Sequence, residues 1–444
     1  MIGISFIILI AYIAKKNQHI AGGISMIDEI LFSDISSVYS GKVGIEIRTK
    51  EDMSENDKKL VQKAEFDVEI PVEAWCALGT NQQQAYATHG LFRYFGKFPP
   101  SIATYLITKY TREDDLVIDP MCGSGSTAVE CLLLKRQCVV NDINPLSVMI
   151  TNAKINRLDK EKLLAVFGII EDKYKPLTYE QYKFSPKDCN YEHWFLSETC
   201  DSLRGIKKCI EEIEDADIQN FYQVIFASII RRVSKATTQQ GRLFLDVETA
   251  VGDAFPYFKK KALKEIENVS LLPEMEKNQI NVCNSDLREE TIEQYENSAQ
   301  LVILHPPYFN SYKYSSINCL ESGWLEIDRK EVRPKEIREF FKVGKPEKYK
   351  EYVDDMEAAL RQSLSLLKKD GVLALMIGDT AIRGEYIPVT NTLINRIDSK
   401  QYMVEKIAVR VPKYTEASWV ASQRRKKNDI GVTLNDFIVI FRKR

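Results

Sequence analysis

The sequence predicts an α/β protein built on a mostly parallel, doubly wound sheet that a helical insertion interrupts. Three observations carry this: short apolar runs that each end in a polar or acidic residue, a glycine-rich loop joining one such run to a helix, and a long helix-patterned stretch before the runs resume. Leu116-Val117-Ile118 stops at Asp119, and the loop Pro120-Met121-Cys122-Gly123-Ser124-Gly125 follows. Residues 127–135 carry a helical pattern, and Cys138-Val139-Val140 stops at Asn141-Asp142. Strands joined through a helix lie parallel, because a helix-length crossover returns the chain in the same direction.

Upstream, Phe98-Pro99-Pro100 precedes Ser101, which suits an N-cap, and Ile102, Ala103, Leu106 and Ile107 recur at helical spacing as far as Tyr110. Residues 203–213 and 221–233 place apolar side chains three and four apart, and the stretch they occupy is too long for a simple crossover. The sheet resumes with Ile280-Asn281-Val282 and Leu301-Val302-Ile303-Leu304. Residues 356–368 read as an amphipathic helix, 371–377 as a strand, and 404–411 with 437–441 as antiparallel end strands. Four regions result: an N-terminal extension (1–64), a first sheet half (65–152), a mainly helical insertion (153–279) and a second sheet half (280–444).

Composition sets outer bounds. The 444 residues, 44% of them hydrophobic, suffice for one large domain with an insertion or for two to three domains. A formal net charge of -2 excludes a uniformly basic nucleic-acid coat, so phosphate contacts must come from local patches. The nine cysteines include no C-x-x-C pair, which argues against a zinc site and for a reducing, cytoplasmic setting; no metal is expected. Met1 to Ala14 is apolar, but a membrane span needs roughly 20 residues and a signal peptide carries positive charge before its apolar core. A strand or helix packed on the body, or a peripheral extension, is expected there, without stable membrane association.

The glycine loop lies where open α/β sheets bind ligands, at the carboxyl end of a strand. Gly123 and Gly125 permit a tight turn and close backbone approach. Asp142 ends the next strand 23 residues after Asp119, close to the roughly 20-residue offset of an acid that accepts ribose hydroxyls. The loop has neither the Gly-Lys-Ser/Thr of a phosphate-binding loop nor a third dinucleotide glycine, which favours a nucleotide-like cofactor without pyrophosphate.

Four motifs in order resemble those of S-adenosylmethionine-dependent DNA amino-methyltransferases: the run from Arg93 to Pro100, the loop after Asp119, Asn141-Asp142-Ile143-Asn144-Pro145, and His305-Pro306-Pro307-Tyr308. The resemblance implies a Rossmann-like, class I methyltransferase fold over roughly residues 92–442. It places Phe98 beside the cofactor, Asp119, Pro120, Cys122, Gly123, Ser124 and Gly125 around its methionine end, Asp142 on the ribose and Asp286 at the adenine. Exocyclic base amines are poor nucleophiles because the lone pair is delocalised into the ring. Acceptors aimed at the N–H groups favour the pyramidal, reactive form, and the resemblance assigns them to the His305 side chain and the Pro306 carbonyl. Pro307 completes the turn, and Tyr308 is expected to stack on a base flipped from duplex DNA.

His305 departs from the Asp, Asn or Ser usual at that position; neutral imidazole keeps one acceptor nitrogen, imidazolium none. A free imidazole titrates near pH 6.5, which places an acid limb there. The residues after Tyr308, Phe309 to Tyr314, resemble the cytosine-N4 enzymes slightly more than the adenine-N6 enzymes. No Pro-Cys dipeptide occurs, which disfavours cytosine-C5 chemistry. The glycine loop also resembles tRNA guanosine-N2 enzymes, although residues 1–90 leave little room for their RNA-binding domain; a non-catalytic cofactor- or DNA-binding module is the other alternative. Arg231, Arg232 and Lys235, then Lys259, Lys260, Lys261 and Lys264, form one basic region, read as DNA contacts or as a solvated helix face. Arg424, Arg425, Lys426 and Lys427, after Tyr414 and Trp419, form another. Duplex DNA and a cognate restriction endonuclease are the partners expected.

Overall fold

The computed structural model describes residues 44–411 and 436–444, apart from residues 81, 188, 240–241, 250, 277–278, 289, 310–313, 338–345 and 383–384. The apolar stretch Met1 to Ala14, the residues 310–313 and the basic run Arg424 to Lys427 with Tyr414 and Trp419 lie outside the described residues.

Nine strands form one sheet: β1 (Ile45–Thr49), β2 (Val72–Ala77), β3 (Leu116–Asp119), β4 (Gln137–Asn141), β5 (Ile280–Cys283), β6 (Ala299–Leu304), β7 (Leu367–Gly378), β8 (Tyr402–Arg410) and β9 (Asp436–Lys443). Their spatial order is β1-β2-β8-β9-β7-β6-β3-β4-β5. From β5 through β7 all neighbours pair in parallel, while β9 runs antiparallel to both β7 and β8. The chain leaves β3 outward through β4 and β5, then returns to β6 on the other side of β3. That reversal opens a crevice at the carboxyl ends of β3 and β6.

The central strands read as continuous apolar runs because both faces are buried. Period-2 alternation assigns each side chain to a face. Val117, Leu301 and Ile303 enter one core cluster and Ile118, Val302 and Leu304 the other. Helix α1 (Glu55–Lys63) and the C-terminal α9 (Pro346–Ser365) pack on the second face. On the first face lie α2 (Pro100–Tyr110), α3 (Ser126–Leu133), α4 (Pro145–Ile155), α5 (Lys160–Lys173), α6 (Ser197–Glu211), α7 (Ala216–Ile230) and α8 (Phe255–Ser270). Residues 153–279 carry α5 to α8, and these helices share this core: buried Phe221, Ile225 and Phe258 join the same cluster as Val117 and Leu132.

Three expectations need correction. Residues 404–411 and 437–441 do form antiparallel strands, yet they do not end the sheet, because β2 pairs in parallel with β8 and β1 adds to β2. The described part of the expected N-terminal extension thus supplies the sheet's edge strand and a helix. Ser101 is not the N-cap of α2: Pro99 holds the cap position and Pro100 opens the helix. Proline suits that first position because its missing N–H has no helical acceptor there. The helix expected over 356–368 ends at Ser365 and begins at Pro346, because β7 already starts at Leu367.

Candidate active site

The carboxyl ends of β3, β4, β5 and β6 converge on one cavity of about 280 Å³. Asp119 closes β3. Its Oδ1 accepts the Met121 amide at 3.2 Å and its Oδ2 the Thr127 hydroxyl at 2.5 Å. Burial pushes this carboxyl up to about 7 against the pull of both donors. Asp142 follows β4. Its Oδ2 accepts the Gly123 amide and its Oδ1 the Asn144 amide, both at 2.8 Å, while burial raises it to about 6. Gly123 is left-handed (φ 52°), the backbone conformation that turns its amide toward Asp142.

Lys154, fully buried on α4, donates its Nζ to the Ser124 carbonyl at 2.8 Å and so props the loop from beneath. The Ser124 hydroxyl is buried with no hydrogen-bond partner among the described residues, and Ser124 lines the cavity with Cys122 and Pro120. Asn141 ties three strand ends together: its Nδ2 donates to the Pro120 and Ser285 carbonyls, and its Oδ1 accepts the Ser285 amide and hydroxyl. The sequence reading gives Lys154 no place, and it names Asn141 within a motif without a role. The available signal was a polar residue where the pattern demanded an apolar one.

Gly125 sits where this loop enters α3. It does not line the cavity as described; it caps the start of α3 at φ 71°, and a Cβ there would lie 2.6 Å from the Thr151 hydroxyl on α4. Its role is helix packing. Gly125→Ala is expected to cost about 2–4 kcal/mol of stability, from a left-handed Cβ penalty and an overpacked contact. Urea unfolding of the cofactor-free protein measures it, and a change below about 0.5 kcal/mol contradicts the packing role.

Asp286 lines the cavity but is forked by Arg288, with Nε at 2.9 Å and NH2 at 2.7 Å. Despite burial, the guanidinium holds its carboxyl below the usual range. Arg288 also grips Asp355 of α9 at 2.8 Å and the Lys335 carbonyl, which draws residues 333–337 over one wall of the cavity.

The turn after β6 brings His305 and Pro307 into the same cavity wall as Phe98. The Phe98 ring meets the His305 ring edge-on at 5.5 Å, and the Tyr352 hydroxyl donates to the Pro307 carbonyl at 2.8 Å. Burial lowers the His305 imidazole to about 4, with Asp436 raising it and Arg410 lowering it further. Pro306 and Tyr308 do not line the cavity as described. The Tyr308 hydroxyl instead meets His305 Nε2 at 3.1 Å. Tyr94 and Tyr314, both missed in the sequence, stack at 6.0 Å and wall the cavity between the glycine loop and this turn.

The basic residues of the insertion divide sharply. Arg231 is held internally, by Glu321 at 2.8 Å and the Ile317 carbonyl at 2.7 Å. Its charge is taken because Glu321 is itself buried and requires a cation. Lys235 donates to the Glu192 carbonyl, Lys259 is paired with Glu171 and Lys261 with Glu265, whereas Arg232 stays exposed beside Tyr257. Among the described residues no group of three or more His, Cys, Asp or Glu is placed to hold a metal, and no helix is long and apolar enough to cross a membrane.

A family model described as D12 class N6 adenine-specific DNA methyltransferase matches residues 100–360, more than half of the chain, and one described as DNA methylase matches residues 12–152. The type II methyltransferase M.MvaI of Kocuria varians is 25% identical over 297 residues, 62% of this chain and 65% of that protein. M.MjaII of Methanocaldococcus jannaschii is 29% identical over 113 residues, 26% of this chain and 20% of its own length. The chain thus spans just under two thirds of the first relative and a fifth of the second. Among solved structures, TrmN from Thermus thermophilus matches with a TM-score of 0.29 and 11% identity, over 78% of this chain and 49% of that one. The chain belongs to the S-adenosylmethionine-dependent DNA amino-methyltransferases.

Proposed function

We propose that this chain transfers a methyl group from S-adenosylmethionine to an exocyclic amine of a base in duplex DNA. The observation that carries the proposal is the meeting of two turns in one cavity: the Gly123 loop with Asp142, and the His305 turn. The cavity suits the cofactor. A nucleoside carrying a cationic sulfonium matches two carboxyls, buried Asp119 and half-buried Asp142, a Ser124 hydroxyl unpartnered among the described residues and apolar walls from Phe98, Leu287 and Ile337.

When bound, S-adenosylmethionine supplies an electron-poor methyl on sulfur. Asp142 accepts from the ribose hydroxyls through the lone pairs that its two backbone donors leave free. Lys154 and Asn141 keep the loop and strand ends from shifting, and positioning of this kind is the main contribution to a direct displacement. His305 and the Pro306 carbonyl accept from the target amine, which localises its lone pair. Once methylated, the nitrogen sheds a proton, for which the neutral imidazole is an available acceptor.

The reading requires one tautomer of His305 at its 3.1 Å contact with the Tyr308 hydroxyl. If Nε2–H donates to the Tyr308 oxygen, Nδ1 keeps its lone pair for the substrate. Tyr308→Phe retains the stacking face but releases this tautomer, and is expected to lose about 2- to 10-fold in single-turnover rate, the value of one neutral hydrogen bond. An unchanged rate in a folded Tyr308→Phe protein removes the hydroxyl from the mechanism.

Two features point to different bases: residues Phe309 to Tyr314 favour cytosine N4 by resemblance, and the family model spanning most of the chain is described as N6 adenine-specific. Methylation-aware sequencing of DNA from cells expressing the chain reads the base and its sequence context together; absence of any modified base sinks the proposal. Likeness to type II methyltransferases adds a restriction endonuclease of the same specificity, and the cytoplasm, to the reading. Arg424, Arg425, Lys426 and Lys427 stay within it as candidate DNA contacts.

A further inference from the structure

Phe95 lies under two guanidinium groups. Arg231 is 5.1 Å from its ring centroid and Arg93 is 5.3 Å away. The two arginines differ in what else they hold. Arg231 is paired with buried Glu321, whereas exposed Arg93 has no carboxylate partner among the described residues. Arg232, next in the chain to Arg231, is likewise exposed, lies over the Tyr257 ring at 5.8 Å and has no carboxylate partner among the described residues. Most other cations of this region are spoken for, Lys259 by Glu171 and Lys261 by Glu265 and the Gly90 carbonyl.

The position of these two free charges follows from the elements that bear them. Arg93 precedes Tyr94 and Gly96, both in the cavity wall, and Arg231 beside Arg232 grips the end of the short helix Tyr314–Ile317, whose Tyr314 and Ser316 line the same cavity. Packing on Phe95 removes rotamer freedom from Arg93 before any partner arrives, so less entropy is lost when its planar fork binds. A guanidinium so placed, with no internal anion, fits a phosphodiester.

We propose that Arg93 and Arg232 hold backbone phosphates of the target DNA strand beside the cavity, with Phe95 as the plate on which Arg93 is set. This rests on the DNA reading above. It assigns phosphate contact to Arg93, which no basic run in the sequence marks, and withdraws it from Arg231, Lys259 and Lys261.

The test uses the full chain and a duplex oligonucleotide carrying the site found by sequencing, with affinity measured across a salt series. Arg93→Gln/Arg232→Gln is expected to flatten the dependence of log K on log salt by about 1.8, about 0.9 per contact. The KM for DNA should rise more than kcat falls, while cofactor affinity by calorimetry is unchanged. Arg93→Lys/Arg232→Lys should keep most of the slope, and Lys259→Gln all of it. A wild-type slope in the double glutamine variant overturns the assignment. Should that variant fail to fold, each single glutamine variant should lose about 0.9 of slope, and a wild-type slope in both overturns it equally. A native chain that neither binds nor methylates duplex DNA defeats the underlying reading instead, and this assignment with it.

Discussion

Alanine in place of His305 is expected to lower the single-turnover rate of methyl transfer about 10²- to 10³-fold, the usual cost of deleting one preorganised hydrogen-bond partner at a reacting group. His305→Asn, which restores the acceptor usual at this position, should keep measurable activity. The pH profile separates this role from simple packing. Burial lowers the imidazole to about 4, so the ring stays neutral, and able to accept, throughout pH 5.5 to 8.5. The wild-type rate should therefore be flat over that range with respect to His305 and fall only toward pH 4, not at the pH 6.5 that a free imidazole suggests. His305→Asn should lack the limb. The same depressed value makes the folded state's advantage complete above about pH 6.5 and lost as pH falls through about 4, so folding must be monitored alongside the rate. An acid limb near pH 6.5 that disappears in His305→Asn contradicts the neutral ring; one common profile for all folded variants contradicts the acceptor role.

Asp142→Ala is expected to weaken S-adenosylmethionine binding by about 1.5–3 kcal/mol, roughly 10- to 150-fold, if one charged hydrogen bond is cleanly lost. Here the shift is opposite in sign, although the acceptor is again lost on the acid side. Burial raises this carboxyl to about 6, so the ionised acceptor is present above that pH and is lost as pH falls through it. Cofactor affinity should drop between pH 7 and 5 in the native protein, and Asp142→Ala should lose the part of that drop due to this group. In stability terms the raised value favours the folded state below the ordinary carboxyl range, and that contribution is lost as pH rises through about 6. Calorimetric titration at pH 5.5 and 8 reads both effects; equal affinity of the folded variant and the native protein at pH 8 removes Asp142 from the cofactor.

The sequence by itself determined the central sheet, the glycine loop and the two turns that meet in the cavity. Those features are local: short runs of consecutive apolar residues buried on both faces make a strand, and glycine or proline at fixed positions makes the turn that follows. Asp119, Asp142 and His305 were therefore placed by counting from the ends of short runs. Tertiary structure decided everything that depends on a partner distant in the chain. Ile45–Thr49 and Val72–Ala77 join the sheet only because Tyr402–Arg410, more than 300 residues on, offers an edge. Gly125 is fixed by Thr151, and Arg231 by Glu321; neither neighbour can be read from the run that contains the residue. Titration behaves the same way: the carboxyls of Asp119 and Asp142 rise, and the imidazole of His305 falls, because the assembled fold removes water from them, and no local pattern specifies how much water is left.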